Sequence, residues 1–210
     1  MKKRERILRI NSDIISIMKI SHEVGWVSLK EISISRIIYI SSVLYSFKYP
    51  NNKNPFMEDY DFITSLRGPF TEDIKFSINN LLINDYLIKN NNQLFLGKEI
   101  FEGIEKMPNY KEKYNWFTVV IYILAIYGEE KIYDFVVRDP EYQEKVQSNS
   151  LKDINVEKGN KTYRSLIKLK GIFEDALGKN AAELDDKKYL ELYFDYIFSK
   201  ILRGDLEHEL

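Results

Sequence analysis

The strongest constraint in the chain is an abrupt change of hydrophobic period at Asp85. Before it, Ile74, Ile78, Leu81 and Leu82 form one apolar stripe at helical spacing. Thr71 stands where it can cap that helix, and Glu72 and Asp73 fall in its first turn, where negative charge suits the positive end of the helix dipole. After it, Tyr86, Leu87 and Ile88 read as a strand, Asn90, Asn91 and Asn92 as a turn, and Leu94, Phe95 and Leu96 as the return strand. A helix over 71–84 that hands over at once to a short hairpin has the order of a recognition helix and its wing.

Two further helices are expected upstream. Ile14, Ile15 and Met18 recur at helical spacing over 11–22, with Asn11 or Ser12 as cap and Gly25 just past the end. A second periodic segment opens at Ser28, carries Ile32, Ile34, Ile37, Ile38, Val43, Leu44 and Phe47, and ends at Pro50; its β-branched residues lower its helix propensity. Residues 60–65 suit a short strand and 97–107 a further helix. The expected fold class is therefore mainly α. A winged-helix module with a basic N-terminal arm spans 1–107, and a helical C-terminal bundle follows over 108–210, with the seam at Pro108 and Asn109.

In the second part, Tyr110–Tyr127 is apolar nearly all round, which a helix tolerates only when it is covered on most sides, so it is expected at the centre of that core. A short helix over 129–137 should stop at Asp139 and Pro140, and the polar stretch 143–160 should be an exposed loop or a short helix. Two amphipathic helices close the chain, over 163–177 and 185–203. The last presents Leu190, Tyr193, Phe194, Ile197, Phe198 and Ile201 along one face.

Composition removes several function classes. Lys plus Arg number 31 against 32 Asp plus Glu, so no overall field draws the molecule to nucleic acid or an anionic membrane, and any basic surface must be local. Residues 1–100 carry 14 basic and 11 acidic side chains, residues 101–210 carry 17 and 21. Lys2, Lys3, Arg4, Arg6 and Arg9 make the densest basic run, read either as a solvated helix start or as a phosphate-touching arm. The absence of cysteine excludes disulfides, thiol nucleophiles and cysteine-bound zinc, and a cytoplasmic location is expected. The longest apolar stretch, 116–127, is about half the roughly 20 residues a membrane span needs.

No catalytic constellation emerges. His22 and His208 lie far apart, which disfavours a histidine-centred triad or metal site. Gly159-Asn160-Lys161-Thr162 lacks the upstream glycine and the Gly-Lys pair of a phosphate loop. Carboxylates cluster at Glu129, Glu130, Asp134, Asp139 and Glu141, and Glu129 with Lys131 mimics the Glu-x-Lys half of a metal-dependent nuclease motif, but a solvated helix face accounts for them better. The 15 tyrosines and 12 phenylalanines fall mainly on apolar helix faces, as core and interface packing requires. No enzyme activity, cofactor, metal or small-molecule substrate is expected. Nucleic-acid contact, if made, would use Arg67, Lys75, Asn79 and Lys89, although Glu72 and Asp73 argue against tight sequence-specific binding.

Phe62, then Gly68-Pro69-Phe70-Thr71-Glu72-Asp73-Ile74, Leu81-Leu82 and Asp85-Tyr86-Leu87-Ile88, resembles a pattern of the small middle components of bacterial ABC-three-component antiphage defence systems, including Lamassu-type systems. In those relatives a glycine-containing step leads into the wing; here Asp85-Tyr86 stands in its place. The resemblance implies a non-catalytic accessory or adaptor subunit. Such a subunit docks on an SMC-like or Rad50-like ATPase and helps restrain a toxic effector, often a nuclease, until foreign DNA is sensed. Partner contact is expected from the hairpin, through Tyr86, Leu94 and Phe95, or from the terminal helix, through Tyr193, Phe194 and Ile197. The alternative is a stand-alone winged-helix transcription regulator or antitoxin-like protein. It would show a basic patch around Arg67, Lys75 and Lys89 and a two-fold dimer interface.

Overall fold

The computed structural model describes residues 3–65, 67–99, 102–148, 153–178 and 184–203. Lys2, His208 and the side chains of Phe198 and Ile201 lie outside this description, as does part of the helix expected over 97–107. The element order is α1 (Lys3–Glu23), β1 (Leu29–Lys30), α2 (Glu31–Lys48), α3 (Glu72–Ile83), β2 (Leu87–Asn90), β3 (Gln93–Leu96), α4 (Tyr110–Tyr127), α5 (Ile132–Val137), α6 (Pro140–Gln147), α7 (Lys161–Leu177) and α8 (Asp186–Arg203). The protein is mainly helical with one small three-stranded antiparallel sheet.

The first helix starts two turns earlier than its pattern suggested. Ile7 and Ile10 extend the stripe of Ile14 and Ile17, and all four are buried. The basic run is consumed within the fold. Arg9 pairs with Asp59 at 2.6 Å, and Arg6 pairs with Asp61 at 2.8 Å and Asp73 at 2.9 Å. Arg6 and Arg9 are thus tertiary anchors for the helix start rather than a free phosphate-touching arm.

α2, not α4, is the wrapped helix. It packs against α4, α5, α7 and α8, and nearly every side chain from Ser33 to Phe47 is buried, including Ser41, Ser42 and Ser46. That is why its sequence shows no polar face. α4 lies along α1 and α2, with Trp116 Nε1–H donating to the Ser41 carbonyl at 2.7 Å, but Tyr122 and Ile126 stay exposed on one stripe. Buried side chains before and after Pro108 belong to one continuous apolar cluster. Across the position of the expected seam, Lys113 of α4 reaches Asp13 of α1 at 2.8 Å and Asp59 at 2.7 Å, and Tyr60 donates to the same Asp13 carboxylate at 2.7 Å.

Other expectations shift for local reasons. The helix before Asp139 and Pro140 does stop there, at Val137, and Pro140 also opens α6, because proline in the first turn has no N–H to lose and Asp139 caps the Tyr142 N–H at 3.0 Å. Residues 60–65 contribute only isolated bridges, Ile63 to Phe70 and Ile63 to Asp153. Among the described residues of 97–107 the helical part is a single tight turn, Ile104–Lys106.

The hairpin forms where the period change placed it. Leu87 pairs with Leu96 and Asn90 with Gln93, joined by Asn91 and Asn92, both at positive φ, as a two-residue turn compatible with strand twist requires. β1, too short to leave a periodic signal, pairs with β3 through Leu29 and Leu94, giving the strand order β1-β3-β2.

Candidate interaction surface around α3 and the hairpin

α3 leaves its last turn through a left-handed residue, Asp85 at φ 56°. Its N–H donates to the Leu82 carbonyl and the Tyr86 N–H to the Leu81 carbonyl, the paired bonds of a Schellman cap. Aspartate tolerates this conformation better than most non-glycine residues, so the step from α3 into the hairpin is made without a glycine. The geometry aims the hairpin back beside α3. At the other end of α3, Ser65, Arg67, Gly68 and Pro69 form a turn tied to α2. Arg36 donates to the Arg67 carbonyl at 2.9 Å, and Ser35 Oγ donates to the Pro69 carbonyl at 3.3 Å. Arg36 in turn sits over the Tyr133 ring, 4.5 Å from its centre.

Between this turn, the start of α2, α3 and the hairpin tip lies an open groove of about 500 Å³. Lys30, Arg67, Lys75 and Lys89 line it, with Glu31 as its one acidic residue, and Asn91, Asn92 and Gln93 close its hairpin side. Lys89 and Glu31 are paired at 3.1 Å. Three of the four residues expected to touch nucleic acid, Arg67, Lys75 and Lys89, therefore converge on one groove. Asn79 does not line it and faces solvent further along α3. Asp73, expected to oppose an anionic ligand, is neutralised by Arg6.

The outward stripe of α3 consists of Glu72, Phe76, Asn79 and Ile83, spaced by four, three and four residues. Phe76 is 56% exposed and Ile83 81%. Ile88 on the neighbouring hairpin is also exposed, and its cross-strand partner Phe95 is half-buried. Phe95 was among the expected contact residues, whereas Phe76, Ile83 and Ile88, and Lys30 and Glu31 in the groove, were missed as site candidates in the sequence. The unused signal was Phe76 and Ile83 at i and i+7, on the face opposite the core stripe.

Several expected contact residues serve the interior. Leu94 is fully buried, since its position in β3, between Leu29 and Lys89, turns it toward the core. Phe194 is 1% exposed, its ring edge-on to Phe135 with centres 4.8 Å apart, and Tyr193 is 7% exposed. These three are packing residues, because α8 spends its apolar face on α2, α4, α5 and α7. Tyr86 is half-buried beside the core, and Ile197 is half-buried in a groove between α7 and α8 with Leu169 and Ile172.

The acidic residues of the nuclease option are not gathered. Glu129 accepts from the Lys30 N–H at 2.8 Å, Asp134 pairs with Lys131 at 3.5 Å, and Asp139 is buried as a helix cap. Among the described residues no group of three or more His, Cys, Asp or Glu side chains is placed to hold a metal ion, and no helix is long and apolar enough to cross a membrane. The Gly159 to Thr162 motif is structural: Asn160 caps α7 through the Tyr163 N–H at 2.7 Å, and the Thr162 hydroxyl donates to Asp139. Comparison with protein-family models, curated proteins and solved structures finds no match.

Proposed function

We propose that this protein is a non-catalytic adaptor subunit built on a winged-helix unit, which docks a partner protein through the outward stripe of α3 and the adjoining hairpin. The chain order of α1, β1, α2, α3, β2 and β3, with β1 against β3, supports the winged-helix part of this reading. One observation carries the docking part: Phe76 and Ile83, on a face where a base-reading helix would set Arg, Lys, Asn or Gln, offer apolar area to solvent. Burying two such side chains suits a protein surface and gains nothing from a polar DNA groove floor. For the same reason a stand-alone sequence-reading regulator is the weaker reading.

The partner class follows the resemblance above: an SMC-like ATPase, in a defence complex that also holds an effector nuclease. The test is affinity purification of the tagged chain expressed with its neighbouring genes, beside a Phe76→Ala/Ile83→Ser variant. Both residues are exposed, so the variant should fold as the parent does. The expected result is co-elution of a long coiled-coil ATPase with the parent and loss of at least about tenfold of it with the variant. A lone dimer that binds one operator sequence would overturn the proposal.

A further inference from the structure

We infer that the groove between the start of α3 and the hairpin tip seats the phosphodiester backbone of a nucleic-acid duplex without regard to sequence, and that Glu31 is an internal counter-ion which the duplex displaces from Lys89. Four cations and one carboxylate give the groove a local charge of +3 on a chain whose net charge is −1. Of the two acidic residues in the first turn of α3, Asp73 is held by Arg6, and Glu72 lies on the outward stripe, outside the groove lining. The cations stand on anchored backbone: Arg67 lies within the turn tied down by Arg36 and Ser35, Lys75 is on α3, and Lys30 and Lys89 are on the sheet. The anchored backbone sets the spacing of the cations, so only their side chains have to be ordered on a regularly charged ligand.

Shape selects among anionic ligands. The cations line a recess of about 500 Å³, which a projecting ridge such as a phosphodiester backbone can enter and a flat bilayer surface cannot. Single strands need stacking platforms, and Phe70 is the one aromatic residue lining the groove. The adjoining α3 stripe presents Phe76 and Ile83 to the place where a recognition helix reads bases, so binding rests on phosphate contacts and counter-ion release rather than on α3 reading the sequence. The groove adjoins the proposed docking surface, but its cations, Lys30, Arg67, Lys75 and Lys89, are not the apolar residues Phe76 and Ile83 that carry that proposal, and its ligand class does not depend on it.

The Lys89–Glu31 pair supplies a signature that a generic basic patch would lack. Removing the carboxylate frees Lys89 for phosphate, so Glu31→Gln should tighten binding, whereas losing a residue that merely holds the hairpin should weaken it. The experiment is fluorescence anisotropy of the full chain with labelled 20-base-pair DNA duplexes of two unrelated sequences and an RNA duplex of equal length, from about 50 to about 200 mM salt. Expected is micromolar-range binding, alike for the two DNA sequences, with log K falling against log salt at a slope of about −3 to −4. Lys75→Ala/Lys89→Ala should flatten that slope by about two and weaken binding at least about tenfold at the low-salt end, while co-elution of the protein partner persists. Glu31→Gln should bind several-fold tighter, and Asn79→Ala as the parent. Comparison of the DNA and RNA duplexes identifies which nucleic acid the seat prefers, and a preference for either upholds it. The inference is overturned if the double variant binds duplex as the parent does, if Glu31→Gln leaves binding unchanged or weaker, if one DNA sequence is preferred more than about tenfold, or if phosphatidylserine vesicles capture the protein and duplexes do not.

Discussion

Two buried polar clusters decide most at the scale of single residues. Burial alone would lower the Lys113 ammonium, and the carboxylates of Asp13 and Asp59 more than reverse this and raise it. Lys113→Met keeps the volume but leaves two buried carboxylates with Arg9 as their nearest cation. A loss of about 3–5 kcal/mol is expected, since breaking a buried pair strands a charge; urea unfolding at neutral pH measures it. Asp139 behaves differently. Burial pushes its carboxyl above the ordinary 3.8, and hydrogen bonds from Thr162, Tyr39 and the Tyr142 N–H offset this only in part. The folded state then holds that proton more tightly than the unfolded chain, so stability falls as pH rises from near 3.8 through the folded value. Asp139→Asn keeps an acceptor for the Tyr142 N–H and removes the titration. Denaturant unfolding at about pH 4 and about pH 7 should therefore show the variant gaining on the parent toward the higher pH.

At the scale of elements, the hairpin depends on how α3 ends. A Cβ added at Gly97 would stand 1.9 Å from the Asp85 carbonyl oxygen, a backbone atom that cannot swing aside. The Gly97 N–H also donates to the Tyr86 carbonyl at 2.8 Å, closing the base of the hairpin. Gly97→Ala is expected to cost about 1–3 kcal/mol through forced displacement and to increase amide exchange in 86–96. By contrast, Asp85→Gly should be neutral or stabilising by up to about 1 kcal/mol, because glycine meets no penalty at positive φ. Thermal unfolding of the two variants, which should move in opposite senses or differ sharply, checks both.

Across the whole molecule, α2 is the shared axle. It carries the turn that presents Arg67 at one end and packs against α4, α5, α7 and α8 along its length. The site and the C-terminal helices therefore stand on one element. A chain cut at Pro108 would expose Ser41, Asp13 and Asp59 where Trp116 and Lys113 now satisfy them. Residues 1–107 expressed alone are expected to lack a cooperative thermal transition, while the full chain shows a single one. Two separate transitions in the full chain would contradict this picture of a shared core.

Local pattern alone determined the mainly helical class, the extent of Tyr110–Tyr127, and the helix-to-hairpin step at Asp85. Each depends on residues near one another in the chain, through helical spacing, alternation and turn residues with positive φ. Arg67, Lys75 and Lys89 were also legible as candidates, because cations flanking a helix and hairpin can be read in place. Long-range packing decided the rest. Arg6 and Arg9 became anchors because Asp59, Asp61 and Asp73 fold against them, which engages Asp73 away from the groove. Leu94, Tyr193 and Phe194 turned inward because neighbouring elements cover the faces they occupy. Phe76 and Ile83 were left in water, since all the core contacts α3 makes fall on its other side. An apolar residue carries no mark of which neighbour will bury it, and a charge none of which counter-ion will claim it. Only the assembled fold assigns those partners.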